Sequence, residues 1–272
     1  MAFDFDTVIN TPEASVDMKA GLETLQGVSD AARCIAETLL TEHVPKRQNH
    51  KKDVRTILKQ TFKGSYGHVF GIEIYDEDAQ KKLRKMSRRV FLELMDYFLN
   101  EAVYKDHEYE LSEAANRIMQ ELGEKADALT KQLRKSAMHN LHAVPEKFGY
   151  SVKIRYRKNR DNQTILASFD QVTAATISAK PAREDVKIMA AITRLNINTG
   201  NGRLNVLGSD DTVAFGFKGL YARVSNAIKE PISVNLAYNN LRTSDQWQYL
   251  EIVARPIQLR DGKVIKYIVK ER

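Results

Sequence analysis

The chain has 272 residues, 43% of them hydrophobic and 28% charged, and a formal net charge of +7. Such a composition is too apolar for general disorder and too charged for a membrane protein, and no run approaches the ~18 apolar residues of a spanning helix. The length allows one large domain or two ordinary ones, and the single cysteine, Cys34, excludes an internal disulfide, in keeping with a reducing compartment.

In chain order, Phe3 and Phe5 alternate with Asp4 and Asp6, a short edge-strand pattern that ends at Thr11-Pro12. This N-terminus has carboxylates where a secretory signal carries basic residues, so a cytoplasmic location is expected. From Met18, the residues Leu22, Leu25, Ala32, Ile35 and Leu39 recur at helical spacing to about Leu40, with Cys34 inside as a buried thiol. Thr41 to Lys52 reads as a loop. Val54 to Phe62 and Tyr66 to Ile74 read as a hairpin turning at Lys63-Gly64-Ser65. Asp76-Glu77-Asp78 suits a helix N-terminus. Two amphipathic helices follow, one striped by Leu83, Met86, Val90, Leu94 and Phe98, the other by Leu111, Ala115, Ile118, Leu122, Leu129 and Leu133.

Helical periodicity stops at Gly149, where the domain boundary is placed, giving domains 1–149 and 150–272. Tyr150, Val152, Ile154 and Tyr156 then face one side of a strand, and Ser151, Lys153, Arg155 and Arg157 the other. A turn at Arg160-Asp161-Asn162 leads into Thr164 to Phe169. Asp170 to Lys180 suits either strand or helix, and Pro181 opens a linker. Val186, Ile188, Ala190 and Ile192 alternate, but Leu195 and Ile197 are out of phase, which predicts a β-bulge near Thr193 or Arg194. Short strands follow at 204–206 and 213–217, then a helix around Leu220, Val224 and Ala227, and strands at Ile232 to Tyr238, Leu250 to Ala254 and up to Val269. The fold class expected is α+β: a helix-rich α+β domain followed by an all-β small barrel at about 186–272, OB-type or another small barrel or sandwich.

Positions 1–149 hold 22 Lys+Arg and 24 Asp+Glu, a net of −2, whereas 150–272 hold 20 and 11, a net of +9. Charge confined to one segment points to a polyanionic partner of that segment. In an OB-type barrel the ligand crosses the second and third strands between the loops after strands one and four. Those loops are read here as Asn198 to Arg203 and Asn239 to Gln246. Arg203, Arg242 and Lys218 then meet phosphates, and Trp247 or Tyr249 offers a stacking surface. A solvated basic surface with aromatics in the core is the competing account. The stripe Lys153, Arg155 and Arg157, extended by Lys158 and Arg160, has charges ~6.5 Å apart, near the spacing of successive phosphates. Edge strands use such charges against aggregation as well, and both explanations stand. Lys81 to Arg89 reads as the solvent face of a packed helix.

Lys63 to His68 lacks the spacing of a phosphate loop, and His139 with His142 lack a third metal ligand. No glutamate is followed two places later by lysine, and no GxSxG, HExxH, CxxC or dinucleotide fingerprint occurs. No catalytic, cofactor-binding or metal residue is therefore assigned, although a dispersed site needs no local motif.

The segment Gly21-Leu22-Glu23-Thr24-Leu25-Gln26-Gly27, with the Gly64-Ser65-Tyr66 hairpin and the barrel-like end, resembles uncharacterised two-domain bacterial proteins of mobile elements and phage defence. The resemblance implies a role in antiviral defence or in a multi-protein assembly and transfers no residue. The expectation is a cytoplasmic, DNA- or RNA-binding component without membrane partners. The alternative is an adaptor that binds protein, including as a homo-oligomer.

Overall fold

The structure is a computed structural model describing residues 2–46, 54–62, 66–105, 111–197, 199–218 and 221–270. The chain divides into two units, Met1–Ile177 and Ser178–Arg272. The first contains β1 (Ala2–Ile9), α1 (Met18–Thr41), β2 (Val54–Phe62), β3 (Tyr66–Ile74), α2 (Glu77–Met86), α3 (Arg88–Glu101), α4 (Glu113–Leu122), α5 (Glu124–Lys135), α6 (Ala137–Leu141), α7 (Ala143–Phe148), β4 (Val152–Arg157), β5 (Gln163–Phe169) and α8 (Gln171–Ile177). The turn at Lys63-Gly64-Ser65 lies outside the described residues.

Its sheet is antiparallel in the order β2-β3-β1-β4-β5. The N-terminal strand expected at an edge is thus the central one, because β3 and β4 both pair with it. The division falls after Ile177 rather than at Gly149 for the same reason. The change from helical to alternating periodicity is real, but β4 and β5 complete the first sheet instead of starting a second. Phe3, Phe5, Ile9, Phe70, Ile72, Val152 and Ile154 join one hydrophobic cluster with the helices, and the Phe3 ring stacks on Phe91 at 4.8 Å. The longest helix, α1, starts at Asp17, whose carboxylate accepts from the Ala20 amide, and Gly27 lets the α6 backbone approach at Leu141.

Each of the two long helical stripes is broken once. Ser87 adopts φ 69° between α2 and α3, and Gly123 adopts φ 53° between α4 and α5. Asp76 caps α2, accepting from the Ala79 amide at 2.7 Å.

The second unit contains β6 (Lys180–Pro181), β7 (Val186–Leu195), β8 (Gly202–Val206), β9 (Thr212–Phe217), α9 (Asn226–Asn239), β10 (Leu250–Gln258) and β11 (Val264–Val269). Five of these strands close into a barrel in the order β7-β8-β9-β11-β10 and back to β7, parallel only between β9 and β11. Ala190, Ile192, Leu204, Phe215, Ile252, Ala254, Tyr267 and Val269 fill it, with Ile232 from α9. The expected bulge is present, as a register shift between Ile192 and Arg194.

The strand expected over Ile232 to Tyr238 is part of α9, and the helix expected from Leu220 shrinks to a 3-10 turn at Tyr221–Arg223 ahead of it. On α9 the buried positions are Ile232, Asn235 and Asn239, a helical spacing whose polar members mask the pattern. Pairing with β10 on β7 ends at Ala190, so the Ile192 N–H donates instead to the Asn235 Oδ1 at 2.8 Å. Asn235 and Asn239 Nδ2 both donate to the Gln248 carbonyl, and the Gln248 N–H donates to Asn239 Oδ1 at 2.9 Å. Helix α9 is thereby fixed under the barrel by two carboxamides that satisfy strand backbone.

Candidate nucleic-acid interface

The unit boundary redistributes the charge. Residues 1–177 hold 27 Lys+Arg against 26 Asp+Glu, a net of +1, and residues 178–272 hold 15 against 9, a net of +6. The excess that belongs to one fold unit is the barrel's.

In the first unit, Lys153, Arg155 and Arg157 share the sheet face turned away from the helices, opposite Val8, Asp6 and Asp4 of β1. Asp6 is wholly buried there. Its carboxylate accepts from Arg155 Nη2 at 2.9 Å and from Arg157 Nε and Nη2 at 2.5 and 2.9 Å. Both guanidiniums also lie within 6 Å of the Phe62 ring, at 5.8 and 5.3 Å. Arg155 and Arg157 are therefore counter-ions of a buried carboxylate, with part of each side chain still exposed. Lys59 covers the same face at Gly71 and meets Asp4 at 2.6 Å. Lys153 is half-buried, and Arg160 is exposed in the β4–β5 turn.

The basic run at 81–89 is partly committed as well. Lys82 and Lys125 hydrogen-bond the Glu42 carboxylate at 2.7 and 3.0 Å, and these two contacts, that of Lys82 first, hold its pKa at about 2. Arg88 lies 5.1 Å over the Phe3 ring. His142, one of the two histidines considered for metal, is buried. Its Nδ1 faces the Met138 carbonyl at 2.7 Å, which accepts only, so Nδ1 carries the proton and Nε2 accepts from the Thr173 hydroxyl at 2.9 Å. Burial lowers its pKa against the raising effect of the Met138 carbonyl. Among the described residues no three of His, Cys, Asp and Glu gather as metal ligands.

In the second unit the register aligns Arg194 of β7 with Arg203 of β8, Arg203 with Ala214 of β9, and Ala214 with Lys266 of β11. Directly paired residues share a face, and neighbouring strands lie ~4.8 Å apart, so Arg203 and Lys266 stand on the order of 10 Å apart across a bare alanine. Arg203 is braced by Thr212, its Nε donating to Oγ1 at 2.9 Å and its Nη2 to the carbonyl at 3.2 Å. Lys266 is held by Asn201 Oδ1 at 3.0 Å, where the β7–β8 loop reaches over Gly216. A Cβ on Gly216 would come 2.8 Å from that Oδ1 and 3.2 Å from the Lys266 Cε.

The outward positions of β8 and β9 are Arg203, Asn205, Thr212, Ala214 and Gly216, whereas Phe215, Phe217 and Tyr267 pack in the barrel core. This face combines half-buried Arg203 with small residues; Asn205, Gly216 and Lys266 are buried on it, and the Tyr249 hydroxyl donates to Asn205 Oδ1 at 3.3 Å.

Lys218 is exposed at the end of β9. Arg242 and Trp247 belong to the α9–β10 connection. Arg242 stacks 3.5 Å over the Tyr238 ring and donates to the Tyr238 carbonyl, and Trp247 Nε1 donates to the Arg242 carbonyl at 3.3 Å. Because the strand at 232–238 is a helix, the loop after the fourth barrel strand is not 239–246 but the β10–β11 turn, Leu259 to Lys263, with exposed Arg260 and Lys263. Lys266, Arg260 and Lys263 were missed in the sequence through that single misassigned element. Comparison with protein-family models, with curated proteins and with solved structures gives no match.

Proposed function

We propose that the chain is a nucleic-acid-binding component whose barrel is of the OB type and binds the phosphate backbone across β8, β9 and β11. The strand order, with β9 and β11 parallel and a helix between the third and fourth barrel strands, suits that fold. The observation that carries the reading is the lateral series Arg194, Arg203, Ala214 and Lys266 in the more basic unit, in which half-buried Arg194 and Arg203 reach the surface and Lys266 is buried behind them. Lys218, Arg260 and Lys263 add charge at its ends. The setting in phage defence or mobile elements rests on the sequence resemblance alone.

Fluorescence anisotropy with single- and double-stranded DNA and with RNA, at ~50 and ~200 mM salt, tests this. Phosphate-driven binding weakens steeply over that interval, and Arg194→Ala or Arg203→Ala each reduces the salt slope by about one. Binding that is absent, or indifferent to salt, overturns the reading.

A further inference from the structure

Helix α9 carries a second, outward apolar stripe. Ala227, Pro231, Val234, Tyr238 and Leu241 recur at intervals of four, three, four and three, the spacing of a helix–helix seam. Val234 is 62% exposed and Leu241, just past the helix end, 82%. At the other end of the stripe, a groove of about 490 Å³ opens between α9 and β10, lined mainly by apolar residues such as Ala227, Ile228, Pro231 and Leu250, with Glu251 and Lys270 also in its wall. One end of the helix thus presents a protruding leucine and the other a mainly apolar groove.

The charges beside the stripe have a matching asymmetry. Glu230 is exposed near the N-terminal end, and the Arg242 guanidinium lies over Tyr238 near the C-terminal end. Lys229 is drawn away onto its own unit, its Nζ 4.8 Å from the Tyr221 ring and 3.3 Å from the Ala222 carbonyl.

We propose that α9 packs antiparallel against α9 of a second copy of this chain, with Val234 at the two-fold axis. Residue 227 then faces 241 and residue 230 faces 238. Leu241 of each copy enters the groove at Ala227 and Pro231 of the other, and Glu230 of each meets the guanidinium held over the other's Tyr238. The self-complementarity is that of an isologous interface, in which each patch supplies both halves of every contact. A helix of 14 residues is about 21 Å long, so this seam falls short of the ~1,200 Å² of a standard stable interface, and the dimer is weak and concentration-dependent.

Sedimentation velocity on nuclease-treated full-length protein, from about 5 to about 500 µM, reads the assembly. The wild type shifts from monomer towards dimer, and Leu241→Asp stays monomeric throughout while keeping the wild-type circular dichroism, since Leu241 is exposed. Glu230→Arg weakens the dimer, and Glu230→Arg combined with Arg242→Glu restores it. A wild type that stays monomeric, a dimer that persists in Leu241→Asp, or a double variant no better than Glu230→Arg overturns the proposal.

Discussion

Replacing Asp6 with asparagine keeps the shape of the side chain and removes the one negative charge between two arginines. In the folded chain its carboxylate is wholly buried and accepts three hydrogen bonds from Arg155 and Arg157, whose side chains are 23% and 14% exposed. Breaking a buried pair by removing one partner costs about 3–5 kcal/mol, since the other charge stays behind uncompensated. Both guanidiniums retain some water contact, which places the expected loss near the lower end, about 3 kcal/mol. For a unit of this size, each kcal/mol lowers the melting temperature by about 2–4 °C, so a drop of about 6–12 °C is expected. Far-UV circular dichroism follows it, because most helical residues belong to the first unit, whereas Trp247, the only tryptophan, reports on the second. Arg155→Ala and Arg157→Ala are expected to destabilise in the same way and to leave the salt slope of nucleic-acid binding unchanged. If Asp6→Asn costs under about 1 kcal/mol while either arginine variant lowers that slope, the two arginines are phosphate ligands and the counter-ion argument fails.

Asn235→Ala strands the Ile192 N–H and loosens the Gln248 segment, so chemical denaturation followed by Trp247 should show a loss of about 2 kcal/mol or more. Gly216→Ala places a Cβ against the ends of the Asn201 and Lys266 side chains, so it should leave the melting temperature within a few degrees of wild type and weaken nucleic-acid binding severalfold in the anisotropy assay. For His142 the folded pKa lies below the ordinary ~6.5, so the unfolded chain takes the proton first. Its contribution is fully present above pH ~6.5 and is lost as the pH falls through the folded value. His68, also lowered by burial, acts with the same sign. Denaturant midpoints between pH 5 and 7 should show this slope, and His142→Gln should flatten it.

Local pattern was most informative where one residue's neighbours decide its structure. The out-of-phase Leu195 betrayed the bulge between Ile192 and Arg194, and the acidic run at 76–78 marked the start of α2. Two elements resisted because their determinants are distant. The partner of Arg155 is 149 positions away, so a stripe of positive charge read as outward and available, although alternating Asp4 and Asp6 on β1 is its complement. Helix α9 resisted because its buried face is Asn235 and Asn239. With those polar residues inward and Val234 outward, the apolar residues at 232, 234, 236 and 238 fall into the alternation of a strand. That error moved the expected fourth-strand loop and hid Lys266.

The outward side chains of β8 and β9 constrain how the proposed interface works. Base-specific recognition and single-strand stacking rely on rings or on forked polar side chains aimed at bases, with stacking worth ~1–3 kcal/mol per base. Here the aromatic side chains of β9 and β11 point into the barrel, the Tyr249 hydroxyl is bonded to Asn205, and the Arg203 fork is bonded to Thr212. Attraction must then come mainly from charge, through Arg194 and Arg203 and the exposed cations Lys218, Arg260 and Lys263. Binding of this origin tracks the phosphate backbone, discriminates little between sequences and fails at high salt. A weak dimer through α9 would offset that lack of contacts, since two linked faces on one polyanion convert the second encounter into an intramolecular step.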